Sequence, residues 1–344
     1  MLKKVILVGM VFLPALSFSQ RGDKAAVMRE VDNLLNISVE FLNAEKPHEA
    51  KPLADAAREM AKRKLGTTNE KYARCLNVLG RYHAQLAEYE EAVTLILESK
   101  DIREQRFGKE HRTYVASLSQ LAAVYFKMCR YEESEELQLQ ERVLLEKLHG
   151  REHVEYAQCL FDLSRLYFAL FDYEKAELLL LQCKAILEKN PGKEPRLHSG
   201  CLTNLAILYS RMGINKTAEL FYLESMDIRY DSLGSDHEFV VKSLNGLASL
   251  YAKMGHFDLE DSLRLEAQAI WEKNWGKSHP GYANVLRQLG GMYLRRRDYK
   301  KAEELYLEAK TINEKHHTEE SIEYARTLQC LAHLYLKTGD DDKA

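Results

Sequence analysis

Basic excess, paired cysteines and catalytic signatures are all scarce in this sequence, and each shortage removes a class of function. Lys and Arg number 49 against 52 Asp and Glu, a formal net charge of −3. Phosphate binding needs a basic excess on some face, so nucleic acid is not expected as a partner. The six cysteines, Cys75, Cys129, Cys159, Cys183, Cys201 and Cys330, include no CxxC and no framework of the kind that staples small secreted domains. They read as small core residues, and Cys183 with Cys201 is the one pairing to inspect. No G-x-S-x-G, no H-E-x-x-H and no Cys-His pair held by a third group is present. Gly276, Lys277 and Ser278 end like a phosphate loop, yet Trp271 stands where that loop needs its first glycine. No catalytic residue, metal or cofactor is therefore expected, and the chain reads as non-enzymatic.

An apolar run from Val5 to Leu16 opens the chain, preceded by Lys3 and Lys4 and followed by Ser17 and Ser19. This is the pattern of an export signal over residues 1–19, cut before Gln20. The run is too short for a bilayer, which needs about 20 apolar residues. The mature chain, 20–344, is expected to be exported, periplasmic or secreted, with no membrane insertion after cleavage. Apolar residues make up 46% of the chain and charged residues 29%, enough of the former to bury a large core.

Beyond the leader, one spacing governs everything. Gly66, Gly108, Gly150, Gly192, Gly234 and Gly276 follow one another at a step of 42 residues. The same step links Leu79, Leu121, Leu163, Leu205, Leu247, Leu289 and Leu331, and Tyr125, Tyr167, Tyr209, Tyr251, Tyr293 and Tyr335. A fixed period of this size is the signature of a solenoid, in which each unit buries its apolar face only by stacking on the next. Within a unit Leu118, Leu121, Tyr125 and Met128 recur at steps of three and four, and Leu137, Leu144, Leu145 and Leu148 do so again. Each unit is thus two helices, and the 42-step glycine is expected to close the second in the left-handed region. Small residues at Ala92, Ser134, Ala176, Ala218, Ala302 and Ala344 open the second helices, and Glu260 breaks that column, which predicts looser packing there. Seven helical pairs and the first helix of an eighth are expected, with Leu328, Leu331 and Leu334 lacking a partner helix and offering an end for self-association.

The unit "L..LA.LY...G.Y..AE.L", complete in Leu202–Tyr222 and Leu286–Tyr306, resembles a tetratricopeptide repeat. The 42-residue period and the "G.EH" or "G.SHP" links, as in Gly108 to His111 and Gly276 to Pro280, are similar to the longer-helix form of kinesin light chains and of many exported bacterial proteins. The resemblance implies an all-α fold, an α-solenoid with a right-handed superhelix, whose first helices line a concave groove that holds peptide segments. It implies a protein-protein interaction scaffold. It also admits a second reading, in which the array is the sensing arm of a larger enzyme, a CHAT-like peptidase or a sensor kinase, with its catalytic part beyond residue 344.

His111, His153, His237 and His279 share the 42 step, but packed helices lie about 8–10 Å apart and metal bonds are about 2 Å. They are therefore expected to bond the start of the next helix. His149 with His153, and His316 with His317, offer two ligands each and not three. At ~100° per residue, positions two before and two after each repeat leucine point away from the core. The expected peptide groove accordingly comprises Asn77, Arg81, Arg165, Asn245 and Arg287, with Gln120, Asp162 and Asn204 beside the leucines. Lys127, Arg211, Lys253, Arg295 and Lys337 follow six residues after the leucine, one per unit from Leu121 onward except at Ala169. They read either as a basic rail for an acidic peptide or as cations in the favourable field of their own helix ends.

Overall fold

The computed structural model describes residues 24–44, 46–234, 237–316 and 322–340. The expected export signal lies outside them, as do His317 and Ala344. Among the described residues there are fifteen α-helices and no strand. They fall into two compact units, Met1–Leu170 and Phe171–Ala344. The first unit holds α1 (Lys24–Asn43), α2 (Pro47–Leu65), α3 (Glu70–Gln85), α4 (Tyr89–Phe107), α5 (Arg112–Lys127), α6 (Tyr131–His149) and α7 (Val154–Ala169). The second holds α8 (Tyr173–Glu188), α9 (Pro195–Arg211), α10 (Asn215–Leu233), α11 (Glu238–Met254), α12 (Phe257–Asn274), α13 (Pro280–Arg295), α14 (Tyr299–His316) and α15 (Ile322–Thr338).

Within each unit every helix packs on the next in sequence, and alternate helices also touch: α1 with α3, α3 with α5, α9 with α11, α13 with α15. The repeat leucines supply the seam. Leu79, Leu121, Leu163, Leu205, Leu247, Leu289 and Leu331 are all between 0% and 5% exposed. Full burial of a leucine is worth about 1.5–3 kcal/mol, so the seam is the main apolar contribution of each first helix. Leu331 and Leu334 are buried against Ala302 and Tyr306 of α14, contrary to the expectation that they lack a partner; Leu328 is the exposed one.

The punctuation is more restrictive than expected. The 42-step glycines all take positive φ, and at Gly66, Gly108, Gly150 and Gly234, which follow directly on a second helix, ψ lies far from the left-handed helix: Gly66 has φ 90° and ψ 161°, Gly108 φ 78° and ψ 173°. That corner of backbone space is essentially open to glycine alone. Contrary to expectation, α8 and α12 stop short of Gly192 and Gly276. At the other joint, after the first helix of each pair, the left-handed turn carries Gly213, Gly255 or Gly339 in some repeats and Ala87, Cys129, Phe171 or Arg297 in others. These four side chains hold φ near 60° at a steric cost.

The linker histidines do what their spacing predicts. Each sits at the N-cap of a first helix and accepts, through Nδ1, the amide of the residue two further on: Thr113 to His111 at 3.3 Å, Glu155 to His153 at 3.2 Å, Phe239 to His237 at 3.2 Å, Gly281 to His279 at 3.1 Å. Asn69 fills the same place at the start of α3. These bonds satisfy one of the orphan donors of each helix start.

The tyrosine column carries a second function invisible in the apolar pattern. Tyr167 donates its hydroxyl to Glu135 at 2.5 Å, Tyr251 to Glu219 at 2.6 Å and Tyr335 to Glu303 at 2.9 Å, and Tyr209 makes the same bond to Glu177. In each case the first helix of one pair is tied to the second helix of the pair before. The carboxylate and burial together push the phenols of Tyr209 and Tyr251 up to about 12.

Two expectations are met here. The Glu260 hairpin, α11 with α12, packs more sparsely than α9 with α10 or α13 with α14, as the break in the small-residue column predicts; Glu260 itself is 1% exposed and its Oε1 accepts from Arg264 at 2.8 Å and from Arg295. A buried ion cluster fills the space, which is how a charge is tolerated in a core. Cys183 and Cys201 are both buried and neither is in a disulfide; the Cys201 thiol donates to the Leu180 carbonyl.

Replacing Cys129 or Arg297 by glycine relieves the positive-φ strain and is expected to stabilise the chain by about 1 kcal/mol each, whereas Gly108→Ala costs about 1–3 kcal/mol. Urea unfolding midpoints followed by circular dichroism check both directions.

Candidate functional site

Placement of the expected groove residues separates those that meet from those already engaged. Asn77 and Arg81 on α3 and Gln120 on α5 converge on one pocket of about 780 Å³ in the first unit. Val39 of α1, Arg103 of α4, Ser119 of α5, Glu141 and Leu145 of α6, and Glu155 of α7 also line it. Lys127, Asp162 and Arg165 are not part of its lining. The remaining six, Asn204, Arg211, Asn245, Lys253, Arg287 and Arg295, belong to the second unit and do not share it.

Lys127, Lys253 and Arg295 of the basic rail are taken up by the fold, while Arg211 is exposed. Lys127 Nζ donates to the Ala84 carbonyl at 3.2 Å, and Lys253 to the Ser210 carbonyl. Gln85, one repeat earlier than Lys127, donates to the Leu42 carbonyl at 2.9 Å. These side chains cap the last carbonyls of the preceding first helix, groups that have no partner within their own helix. Neither sequence reading of the rail anticipates this, because the target is the neighbouring helix and not a ligand or the residue's own helix. Arg295 is bound to Glu260, Arg287 faces Glu323 at 3.5 Å, and Arg165 pairs with Asp162 at 3.4 Å.

Three of the four arginines that line the pocket are held by neighbouring side chains, Arg112 being the exposed one. Arg74 binds Asp32 at 2.6 Å, Arg81 donates to Asn43 at 2.9 Å, and Arg103 is held by Glu70 at 3.1 Å and Ser117 at 2.8 Å. Burial lowers the Arg81 pKa from its ordinary value.

The acceptors are in the opposite condition. Asn77 was expected to face outward but is only 4% exposed, and its Oδ1 is buried without a hydrogen-bond partner. The Gln120 Oε1 is buried without one as well. Glu141, 6% exposed, accepts a bond from the Ser119 hydroxyl and has no cation in contact among the described residues. Burial, which disfavours the charged form, pushes its carboxyl up to about 7 against the pull of Ser119 in the other direction.

Glu141 went unnoticed in the sequence, although a signal exists. Stepping by 42 gives Ser99, Glu141, Cys183, Ser225, Ala267 and Ala309, a column of small buried residues with one glutamate in it. It was hidden because the residue sits in the less regular second helix, away from the leucine and tyrosine landmarks.

His149, His153 and Glu155 bring their ligand atoms within 4.8 Å of one another, so the fold adds a third group to a pair that sequence left at two. The chemistry opposes a metal. His153 accepts the Glu155 amide through Nδ1, so in the neutral ring Nε2 carries the proton and offers no lone pair. His149 instead faces Glu155 at 3.0 Å and stacks on His153 as Phe107 stacks on His111.

Helical hairpins of equal length, capped alike and lined by conserved spacings within one chain, define a helical-repeat protein. Tetratricopeptide-repeat sequence profiles match residues 33–105, 113–189 and 262–315, and a further profile of that family matches 199–238. The chain belongs to the tetratricopeptide repeat family. Among solved structures it is similar to kinesin light chain TPR-like repeats of Podosopora anserina, at 26% identity and a TM-score of 0.51, covering 60% of this chain and 98% of that one. It shares its fold with apo RapI (13% identity, TM-score 0.63, 91% of this chain and 83% of that one). The same holds for aspartyl phosphate phosphatase F of Bacillus subtilis (14% identity, TM-score 0.55, 90% and 87%). No curated protein matches.

The folded chain holds the Glu141 proton up to about pH 7, whereas the ordinary carboxyl releases it near 4.5. Stability is therefore expected to fall as pH rises through that window and to level off on either side. Glu141→Gln removes this slope, and above pH 7 it gains on the order of 3 kcal/mol over the parent chain. Urea titrations of the two proteins between pH 4 and pH 8 measure the difference.

Proposed function

We propose that this chain is an exported, non-catalytic scaffold that binds a protein segment in the pocket of its first unit. The observation that carries the reading is the hollow of about 780 Å³ that Asn77 and Gln120 help to line, with their side-chain carbonyl oxygens unpartnered and covered just beneath its wall, where a turn of either amide would bring them to a ligand. A buried acceptor without a donor costs about 1–3 kcal/mol, and an extended peptide backbone, with one N–H per residue, supplies what is missing. Family membership supports the same conclusion, and a Rap protein of this fold (15% identity, TM-score 0.51, 91% of this chain and 99% of that one) has been solved in complex with Competence and Sporulation Factor. The non-catalytic part of the reading rests on the sequence, which brings no nucleophile, base and orienting group together. The exported part rests on residues 1–19, and no helix among the described residues is long and apolar enough to cross a membrane.

A photo-crosslinking amino acid at Ala116, exposed and lining the pocket, is expected to trap a partner segment from an envelope extract. The same probe at Glu136, exposed on α6 and outside the lining, is expected to trap none. Adducts at Glu136 alone, or at neither site, would remove the pocket from consideration.

A further inference from the structure

The pocket has a chemical bias that becomes visible when its repeats are laid over one another. Four residues after each member of the small-residue column come Arg103, Leu145, Leu187, Arg229, Trp271 and Asn313. Where an arginine stands there, the preceding column residue is a serine: Ser99 with Arg103, Ser225 with Arg229. Both arginines lie inside and reach the next first helix in the same way. Arg103 donates to the Thr113 carbonyl at 3.1 Å and to Ser117, and Arg229 donates to the Phe239 carbonyl at 2.8 Å and to Ser243. In the α5–α6 repeat the charges are reversed. The column holds a carboxyl, Glu141, and the place of the arginine is taken by Leu145, 4% exposed.

The consequence is a buried carboxyl without the cation that the same geometry supplies elsewhere. The other buried glutamate, Glu260, shows the contrast, since Arg264 and Arg295 both bind it. Glu141 is faced by Ser119 from α5 and by Cys159 and Asp162 from α7, none of them cationic; Asp162 pushes its carboxyl further up. Of the arginines that line the pocket, Arg103 is paired with Glu70 and Arg74 with Asp32, Arg81 donates to the neutral Asn43 and keeps its charge, and Arg112 lies 3.8 Å from Glu155; none of them is paired with Glu141. A buried charge missing its partner is costly, and Asn77 Oδ1 and Gln120 Oε1 add two further acceptors that need donors.

Resting on the scaffold reading, we infer that the pocket selects a segment bearing a lysine or arginine, whose side chain pairs with Glu141 while Asn77 and Gln120 accept its remaining N–H groups. This reverses the acidic partner expected from the basic rail, of which Lys127 and Lys253 are consumed as helix caps. Binding of the cation favours the ionised carboxylate, so near neutral pH each binding event releases a fraction of a proton to the buffer.

The test pans a phage-displayed random dodecapeptide library against the full chain and then measures a selected peptide by fluorescence anisotropy. Enrichment of Lys and Arg is expected. Glu141→Gln, nearly isosteric, is expected to weaken the selected peptide at least tenfold with unchanged helicity. Leu145→Arg, which installs the internal cation found at Arg103 and Arg229, should do the same. Replacing the peptide's basic residue by norleucine should match the loss in the parent chain and add nothing in Glu141→Gln. Enrichment of Asp and Glu, or full affinity in Glu141→Gln, would overturn the inference and leave the scaffold reading standing. Absence of any enrichment would overturn both. Spermidine binding as tightly as the peptide would overturn the peptide-borne part by assigning the site to free amines.

Discussion

Leu79, Leu121 and their equivalents are buried by helices that belong to other repeats as much as by their own. A two-helix hairpin of some 40 residues cannot cover its own apolar stripe, so each pair is stable only with a neighbour on its flank. Everything else in the molecule follows from keeping that neighbour at a constant distance and angle. The glycines held at positive φ and extended ψ close α2, α4, α6 and α10, the histidine caps fix where the next first helix starts, and the tyrosine–glutamate bonds tie successive pairs together.

Against so regular a background, departures from the repeat are informative. Glu260 and Glu141 are both glutamates placed in columns of small residues, and they resolve in opposite ways. Glu260 recruits Arg264 and Arg295 and becomes part of the core. Glu141 recruits only a serine hydroxyl and opens on a pocket with two more unpartnered oxygens. A scaffold that must hold a partner has reason to leave such needs unmet, because the deficit is made good only when the partner arrives.

The fold was legible in the sequence almost to the residue, because its determinants are local and repeated: a leucine every 42 positions, a glycine at each link, a histidine three residues later. The site was less so. Helix angles put Asn77, Arg81 and Gln120 on the correct helices, but they turn Asn77 toward solvent, whereas neighbouring helices cover it. The rail of Lys127 and Lys253 was misread because helix angles within one repeat say nothing about the carbonyl ends of the adjacent helix, 43 residues away in sequence. Glu141 required comparing second helices with each other, where the apolar landmarks are weaker.

The account stands on the coupling between neighbouring pairs, and the Tyr251–Glu219 bond across α10 and α11 is the place to measure it. A double-mutant cycle of Tyr251→Phe and Glu219→Gln, read by urea unfolding, should return a coupling of about 1.5–3 kcal/mol, as expected for a hydrogen bond to a charged group. Additive single-mutant effects, within about 0.3 kcal/mol, would mean that adjacent hairpins are not joined there and would contradict the coupled stacking of helical pairs in the second unit.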